Sequence, residues 1–306
     1  MTTLELGAQV ASGRLATVHR GSVAGRAVAV KRARAVPGAA EALRREARIL
    51  QAAAHPAIVP VLDVLDDPVR PAMVMGWADG GSLGDLLADG PLGADELVHI
   101  LRPVAGGLEA LHLAGVAHLD VTAHNVLLAA AGPVLIDPAP PGAGTPGYAD
   151  PAVLGGAPAS AGSDTYGLAA CAHMALTGRL PRRTGGPAIG LALPAPVGAA
   201  LREGLHIEPR RRPRSPSAFV DRLEAALTGH MRPQPGGLRT HEAPDLPHRR
   251  PAAPSGSRSS CPPACTWPFD HWEEEAAAAE ERRVALDALL GGGEGPRPAR
   301  RRRRPT

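Results

Sequence analysis

Lysine is almost missing from this chain. Of the 33 Lys and Arg residues, 32 are arginine, and the single lysine is Lys31. Aromatic residues are scarce too, at 2% of 306 positions. The core must therefore be built from Ala, Val and Leu, which bury little area each, so modest stability for the size is expected. No apolar run is long enough to span a bilayer. The opening Met1-Thr2-Thr3-Leu4-Glu5 lacks the basic and apolar regions of a signal peptide, so a soluble cytoplasmic protein is expected. Three cysteines make neither a disulfide framework nor a zinc site. Cys171 lies in an apolar helical stretch and reads as core, whereas Cys261 and Cys265 sit in a Pro-rich segment.

The chain is 44% hydrophobic and 21% charged, which suits one or two globular domains. Residues 1–228 carry 20 basic and 20 acidic side chains, so the whole excess of +3 lies in residues 229–306. The basic isoelectric point of about 9.1 is thus no sign of a nucleic-acid-binding domain. Residues 4–75 read mostly as strands, among them Val28-Ala29-Val30, Val59 to Leu65 and Ala72 to Met75. One helix interrupts them, Glu41 to Ala54, with Leu43, Ala47 and Leu50 on one face and His55-Pro56 as its stop. From Gly80 the pattern turns helical, most clearly over Leu83 to Leu87, Ala94 to Ala114 and Ser163 to Thr177, with Gly178 ending the last. A strand-rich part followed by a helical part predicts two lobes. After Gly229, Pro, Gly, Arg and Ser dominate, and residues 229–306 read as a disordered tail with a short helix over 270–290.

An ammonium is a compact point charge, where a guanidinium is a wide planar fork. One lysine kept in a chain of arginines suggests work that arginine cannot do, and it ends the apolar run Val28-Ala29-Val30-Lys31. Downstream come Glu46 in the helix, His55-Pro56-Ala57-Ile58-Val59, and His118-Leu119-Asp120-Val121-Thr122-Ala123-His124-Asn125. Asp137 follows the strand Val134-Leu135-Ile136, and then come Gly144-Thr145-Pro146-Gly147-Tyr148 and Asp164-Thr165-Tyr166-Gly167. In this order the segments resemble the bacterial Ser/Thr protein kinases of the eukaryotic (Hanks) type, over about residues 4–228.

The resemblance implies a two-lobed α+β fold, with a small strand-rich N-lobe and a larger helical C-lobe. It implies an ATP- and Mg²⁺-dependent transfer of phosphoryl groups to protein substrates. Lys31 would hold the ATP phosphates, oriented by Glu46, and Asp120 would accept the substrate hydroxyl proton. Asn125 and Asp137 would hold Mg²⁺. Gly13 and Val18 would cover the nucleotide, Ala29 and Leu127 would sandwich adenine, and Met75 to Ala78 would hinge the lobes. Asp164 would anchor the catalytic-loop backbone.

The departures carry expectations of their own. The three positions of the Gly-rich loop read Ala11, Gly13 and Ala16, which predicts weaker ATP binding because alanine tolerates fewer backbone conformations. Thr122 stands where the family has a lysine near the transferring phosphate, so slow transfer is expected. Leu119 replaces the arginine that would bind a phosphorylated activation loop, and Thr145 is the only Ser or Thr of a short loop, so no activation by loop phosphorylation is expected. Asp150-Pro151-Ala152 replaces Ala-Pro-Glu, so the usual pair of that Glu with an arginine, here Arg212, is expected to be lost. A pseudokinase scaffold and a small-molecule phosphotransferase are the alternatives, the second disfavoured by Gly144 to Tyr148. No membrane partner is expected. Nucleic acid is expected only through Arg300 to Arg304, for which a solvated end is the plainer reading.

Overall fold

The computed structural model describes residues 4–142, 144–181 and 193–231. β1 (Leu4–Ser12), β2 (Ala16–Val23) and β3 (Arg26–Ala33) run as a meander, and α1 (Ala39–Gln51) leads to β4 (Val61–Leu65) and β5 (Ala72–Gly76). The five strands are ordered β1-β2-β3-β5-β4, with every neighbouring pair antiparallel. Side chains alternate along a strand, so Ala29, Lys31 and Ala33 share one face of β3 while Val28, Val30 and Arg32 share the other. Ala29 and Ala33 join the main core with Leu43, Ala47 and Leu50 of α1. Val28 and Val30 pack with Val74 and Ala72 in a small separate cluster. The face bearing Lys31 is therefore the inner one, turned toward α1.

The second part is helical. It holds α2 (Leu83–Leu87), α3 (Ala94–Leu113), the hairpin β6 (Val126–Ala129) and β7 (Gly132–Leu135), α4 (Pro151–Leu154), α5 (Ala161–Thr177), α6 (Ala195–Gly204) and α7 (Pro216–Met231). α5 is buried all round, with Leu168, Ala169, Ala170, Cys171 and Ala172 fully enclosed, as a central helix requires. Its small side chains let neighbours come close. A Cβ on Gly167 would stand 2.9 Å from Val121, so glycine is needed where α5 meets the segment that follows Asp120. Gly178 ends α5 in the left-handed conformation, at φ 67°.

The two-lobed α+β architecture is the one read from the sequence. Boundaries shift: α1 spans Ala39–Gln51 rather than Glu41 to Ala54, and β7 ends at Leu135, although the Ile136 N–H still pairs in register with the Asn125 carbonyl at 2.9 Å. α7 continues past residue 228 to Met231. The helix expected over 270–290 and the run Arg300 to Arg304 lie outside the described residues. Among the described residues no helix is long and apolar enough to cross a membrane.

One expectation is overturned. Arg212 does have a carboxylate partner: it donates to both oxygens of Asp150, at 2.6 and 2.7 Å, with both side chains buried. The acid has moved to the N-cap of α4, where Asp150 also accepts from the Ala152 N–H at 2.9 Å. The remaining guanidinium bonds go to the carbonyls of His206, Gly162 and Ile207, and its plane lies 5.0 Å over the Tyr166 ring. The tie survives because a shorter acid, two positions earlier, reaches the same arginine.

Candidate active site

Lys31 reaches the interior from the inner face of β3. Its ammonium donates to both oxygens of Glu46, at 2.7 and 2.8 Å, and to Asp137 Oδ1 at 2.8 Å. Glu46 arrives from the buried face of α1, one turn from Leu43 and Leu50. An ammonium has three donors, so all are engaged. Burial works against the Lys31 charge, but the Asp137 and Glu46 carboxylates outweigh it and hold its pKa above the ordinary lysine value. Burial pushes the Glu46 carboxyl up to about 7, against the pull of Lys31 and with a smaller push from Asp137. Two carboxylates thus compete for one ammonium.

Asp137 lies just beyond β7 with φ 59°, a left-handed conformation that strains a residue with a side chain. Leu119 is strained likewise, at φ 66°. Asp164, fully buried on α5, holds that second strain in place. Its carboxylate accepts from the His118 N–H at 2.9 Å and the Leu119 N–H at 2.7 Å, and it bonds His112 Nε2 at 2.7 Å. His118 is buried, which lowers its pKa and keeps the ring neutral. Its Nδ1 accepts from the Asp120 N–H at 3.3 Å, which leaves Nε2 to donate to the Ile136 carbonyl at 2.9 Å. One neutral ring therefore ties the segment carrying Asp120 to the segment carrying Asp137.

The Asp120 carboxylate is held on both sides. Oδ2 accepts from Asn125 Nδ2 at 2.9 Å, and Oδ1 accepts from the Thr145 N–H and hydroxyl at 3.0 and 2.8 Å. Asn125 Nδ2 also donates to the Asp120 carbonyl at 2.9 Å. With the amide nitrogen spent on Asp120, the amide oxygen is the atom left for a cation. Asp137, 41% exposed, keeps its second oxygen beyond the Lys31 bond. Two hard oxygens suit a Mg²⁺ that completes its shell from phosphate and water. Among the described residues no group of three or more His, Cys, Asp and Glu side chains could hold a metal by itself.

The remaining sequence candidates take these places. Val18 pairs directly across from Lys31, and Ala29 sits on the same inner face. Gly13 lies in the turn between β1 and β2. Leu127, on β6, bridges to Ser82, and the Gly80 N–H donates to the Leu128 carbonyl at 2.8 Å, so β6 is clasped by the segment that leaves β5. Thr122 is buried and its hydroxyl accepts from the Asn125 N–H at 3.1 Å, so it shapes the turn between Asp120 and Asn125 from within.

Three contacts escaped the sequence reading. The Thr145 hydroxyl on Asp120 and the His112 ring on Asp164 join residues far apart in the chain, which no local pattern marks. The Arg20 guanidinium lies 5.1 Å over the Trp77 ring and links β2 to the segment after β5. A tryptophan in so aromatic-poor a chain was the available signal for it.

A family model described as the protein kinase domain matches residues 4–188. Serine/threonine-protein kinase pkn2 of Myxococcus xanthus is 31% identical over 56% of this chain and 24% of its own length. Serine/threonine-protein kinase PknL of Mycobacterium bovis is 34% identical over 60% of this chain and 51% of its own. The chain therefore spans between a quarter and a half of the length of these curated relatives. Among solved structures, a point mutant of the kinase domain of Mycobacterium tuberculosis PknI superposes with a TM-score of 0.62 at 26% identity, covering 73% of this chain and 95% of that one.

Proposed function

This chain belongs to the protein kinase family, and on that premise we propose that it transfers the γ-phosphoryl group of ATP to a serine or threonine hydroxyl of a protein substrate. The observation that carries the proposal is the joint placement of Lys31 between Glu46 and Asp137 and of Asp120 between Asn125 and Thr145. The substrate oxygen forms its bond to the γ-phosphorus as the bond to the β-phosphate oxygen breaks, and ADP leaves. Asp120 orients the incoming hydroxyl and accepts its proton.

Lys31 holds the phosphates as a fixed cation, and Glu46 keeps it aimed. Because all three Lys31 donors are engaged, the phosphates take the place of Asp137 at the ammonium. Asp137, freed from that bond, would with the Asn125 amide oxygen be available to hold Mg²⁺. A bound Mg²⁺ would neutralise phosphate charge there. Ala29, Val18 and Leu127 supply an apolar seat for the adenine, and Gly13 lies over the phosphates. A dependence on ATP sets the work in the cytoplasm.

The test is transfer of labelled γ-phosphate from ATP·Mg²⁺ to the chain itself and to a generic basic protein, beside Asp120→Asn. Loss of label on the order of a thousandfold in the variant, at unchanged melting temperature, is expected. No label from the wild type, with ATP·Mg²⁺ still raising its melting temperature, would turn the reading to a nucleotide-binding pseudokinase.

A further inference from the structure

The turn between β1 and β2 stands where the kinase reading puts a phosphate-covering loop, with one glycine of the three. Ala11 is paired within β1 and Ala16 within β2, and Gly13 alone remains between them. None of residues 11–16 adopts a positive φ. A Cβ on Gly13 would meet nothing closer than 3.6 Å. The loop therefore makes no use of the backbone freedom that glycine offers; the Gly13 N–H closes the turn on the Ala16 carbonyl at 2.9 Å, and side-chain contacts add to that bond.

The Arg34 side chain makes them. Its Nε donates to the Gly13 carbonyl at 2.9 Å and its Nη2 donates to the Ser12 hydroxyl at 2.6 Å, while its backbone N–H only continues the β2–β3 pairing to the Leu15 carbonyl at 2.8 Å. Both side-chain acceptors lie where β1 enters the turn. Only a guanidinium can present Nε and Nη2 side by side to two acceptors. Continuing the alternation of β3, Arg34 falls on the outer face with Val30 and Arg32, opposite Lys31. In a trans peptide the carbonyl and the following N–H point in opposite directions. Drawing the Gly13 carbonyl outward thus turns the Arg14 N–H inward, toward the face of Lys31, where a backbone donor can meet a phosphate oxygen.

We propose that Arg34 is a positioning residue for the nucleotide: it latches the glycine-poor loop from outside so that the loop backbone covers the phosphates. The inference rests on the kinase reading above. Arg34 touches no reacting atom and acts through the loop. In this chain a fixed latch does what flexible glycines do elsewhere, and the Ala11 and Ala16 substitutions are tolerated because the latched loop does not need them to be glycine.

The experiment uses the full chain with Arg34→Ala, Arg34→Lys, Ser12→Ala and the double variant. Three quantities are read: the Kd of a non-hydrolysable ATP analogue with Mg²⁺, amide hydrogen exchange over residues 12–16, and KM for ATP against kcat. Arg34→Ala is expected to raise Kd and KM about tenfold, the scale of losing charge-assisted hydrogen bonds, with faster exchange in the loop and kcat within about twofold. Arg34→Lys, which keeps the charge but not the fork, falls between. Ser12→Ala gives a rise of about threefold that disappears in the Arg34→Ala background, as for partners in one network. Wild-type binding with unchanged Kd and exchange in Arg34→Ala would overturn the latch alone. A fall in kcat at constant KM would overturn it too, as a merely structural effect. A wild-type chain that binds no nucleotide would instead overturn the kinase reading and the latch with it.

Discussion

Two ion pairs in this molecule use the same chemistry to opposite ends. In the helical part, Arg212 and Asp150 meet with their side chains 0% and 2% exposed, and carbonyls and an aromatic face take up the rest of the guanidinium. Nothing is left over for a ligand. In the cleft, Lys31 stands between Glu46 and Asp137, one cation for two carboxylates, and Asp137 is 41% exposed. The first pair is saturated and holds the fold. The second is unbalanced, and an incoming anion and cation can rearrange it. Saturation marks a structural charge, and competition marks a working one.

The sharpest way to break this comparison is to remove each cation. Lys31→Ala is expected to lower phosphoryl transfer on the order of a hundred- to a thousandfold, with a smaller loss of melting temperature than Arg212→Ala because the Glu46 it strands, already raised to about 7, can take up a proton, as radiolabel transfer and calorimetry will show. Arg212→Ala is expected to do the reverse. Leaving Asp150 buried without its partner costs about 3–5 kcal/mol. That corresponds to a drop in melting temperature of roughly 10 °C, with the rate per folded molecule preserved. Asp150→Ala combined with Ala152→Glu, set beside Asp150→Ala alone, should recover part of the stability that the single change loses, since it restores an acid at the family position.

A pH titration sharpens the contrast further. Glu46 is raised by burial to about 7. A raised carboxyl stabilises the fold while protonated, so its contribution is full below the ordinary value of 4.5 and is lost as the pH rises through about 7. The Lys31–Glu46 ion pair needs the ionised form and so has the opposite dependence. Across roughly pH 5 to 8, kcat/KM should therefore climb while the melting temperature falls. Glu46→Gln should flatten that part of both curves. The smallest effect is expected at Leu119. Leu119→Arg should leave the rate within about twofold, and no rise in rate should accompany phosphate on Thr145, because Thr145 already spends its hydroxyl on Asp120. Phosphopeptide mapping alongside rate measurements checks this.

The cleft brings together side chains that the sequence reading picked out from short, ordered segments. Lys31, Asp120, Asn125 and Asp137 each lie in a strand or in a turn next to one, and the order and spacing of those segments pick them out. The sequence reading stopped where function depends on side chains meeting across the fold. His112 and Asp164, Thr145 and Asp120, and Arg34 and Ser12 are joined only by packing. The Arg212 tie was misread because the fixed position of a glutamate was followed rather than the reach of a carboxylate. Asp150 is shorter than glutamate, but as the N-cap of α4 it begins two positions earlier in the chain.

The scarcity of lysine has a practical consequence at the bench. Lys31 is the one side-chain amine in the whole molecule, and it sits 12% exposed with its donors occupied. A nucleotide carrying an acyl phosphate has a single lysine to acylate, and it must enter the cleft to find it. The stoichiometry of that label, read on the intact mass of the protein, would count nucleotide sites directly, with no background from surface lysines.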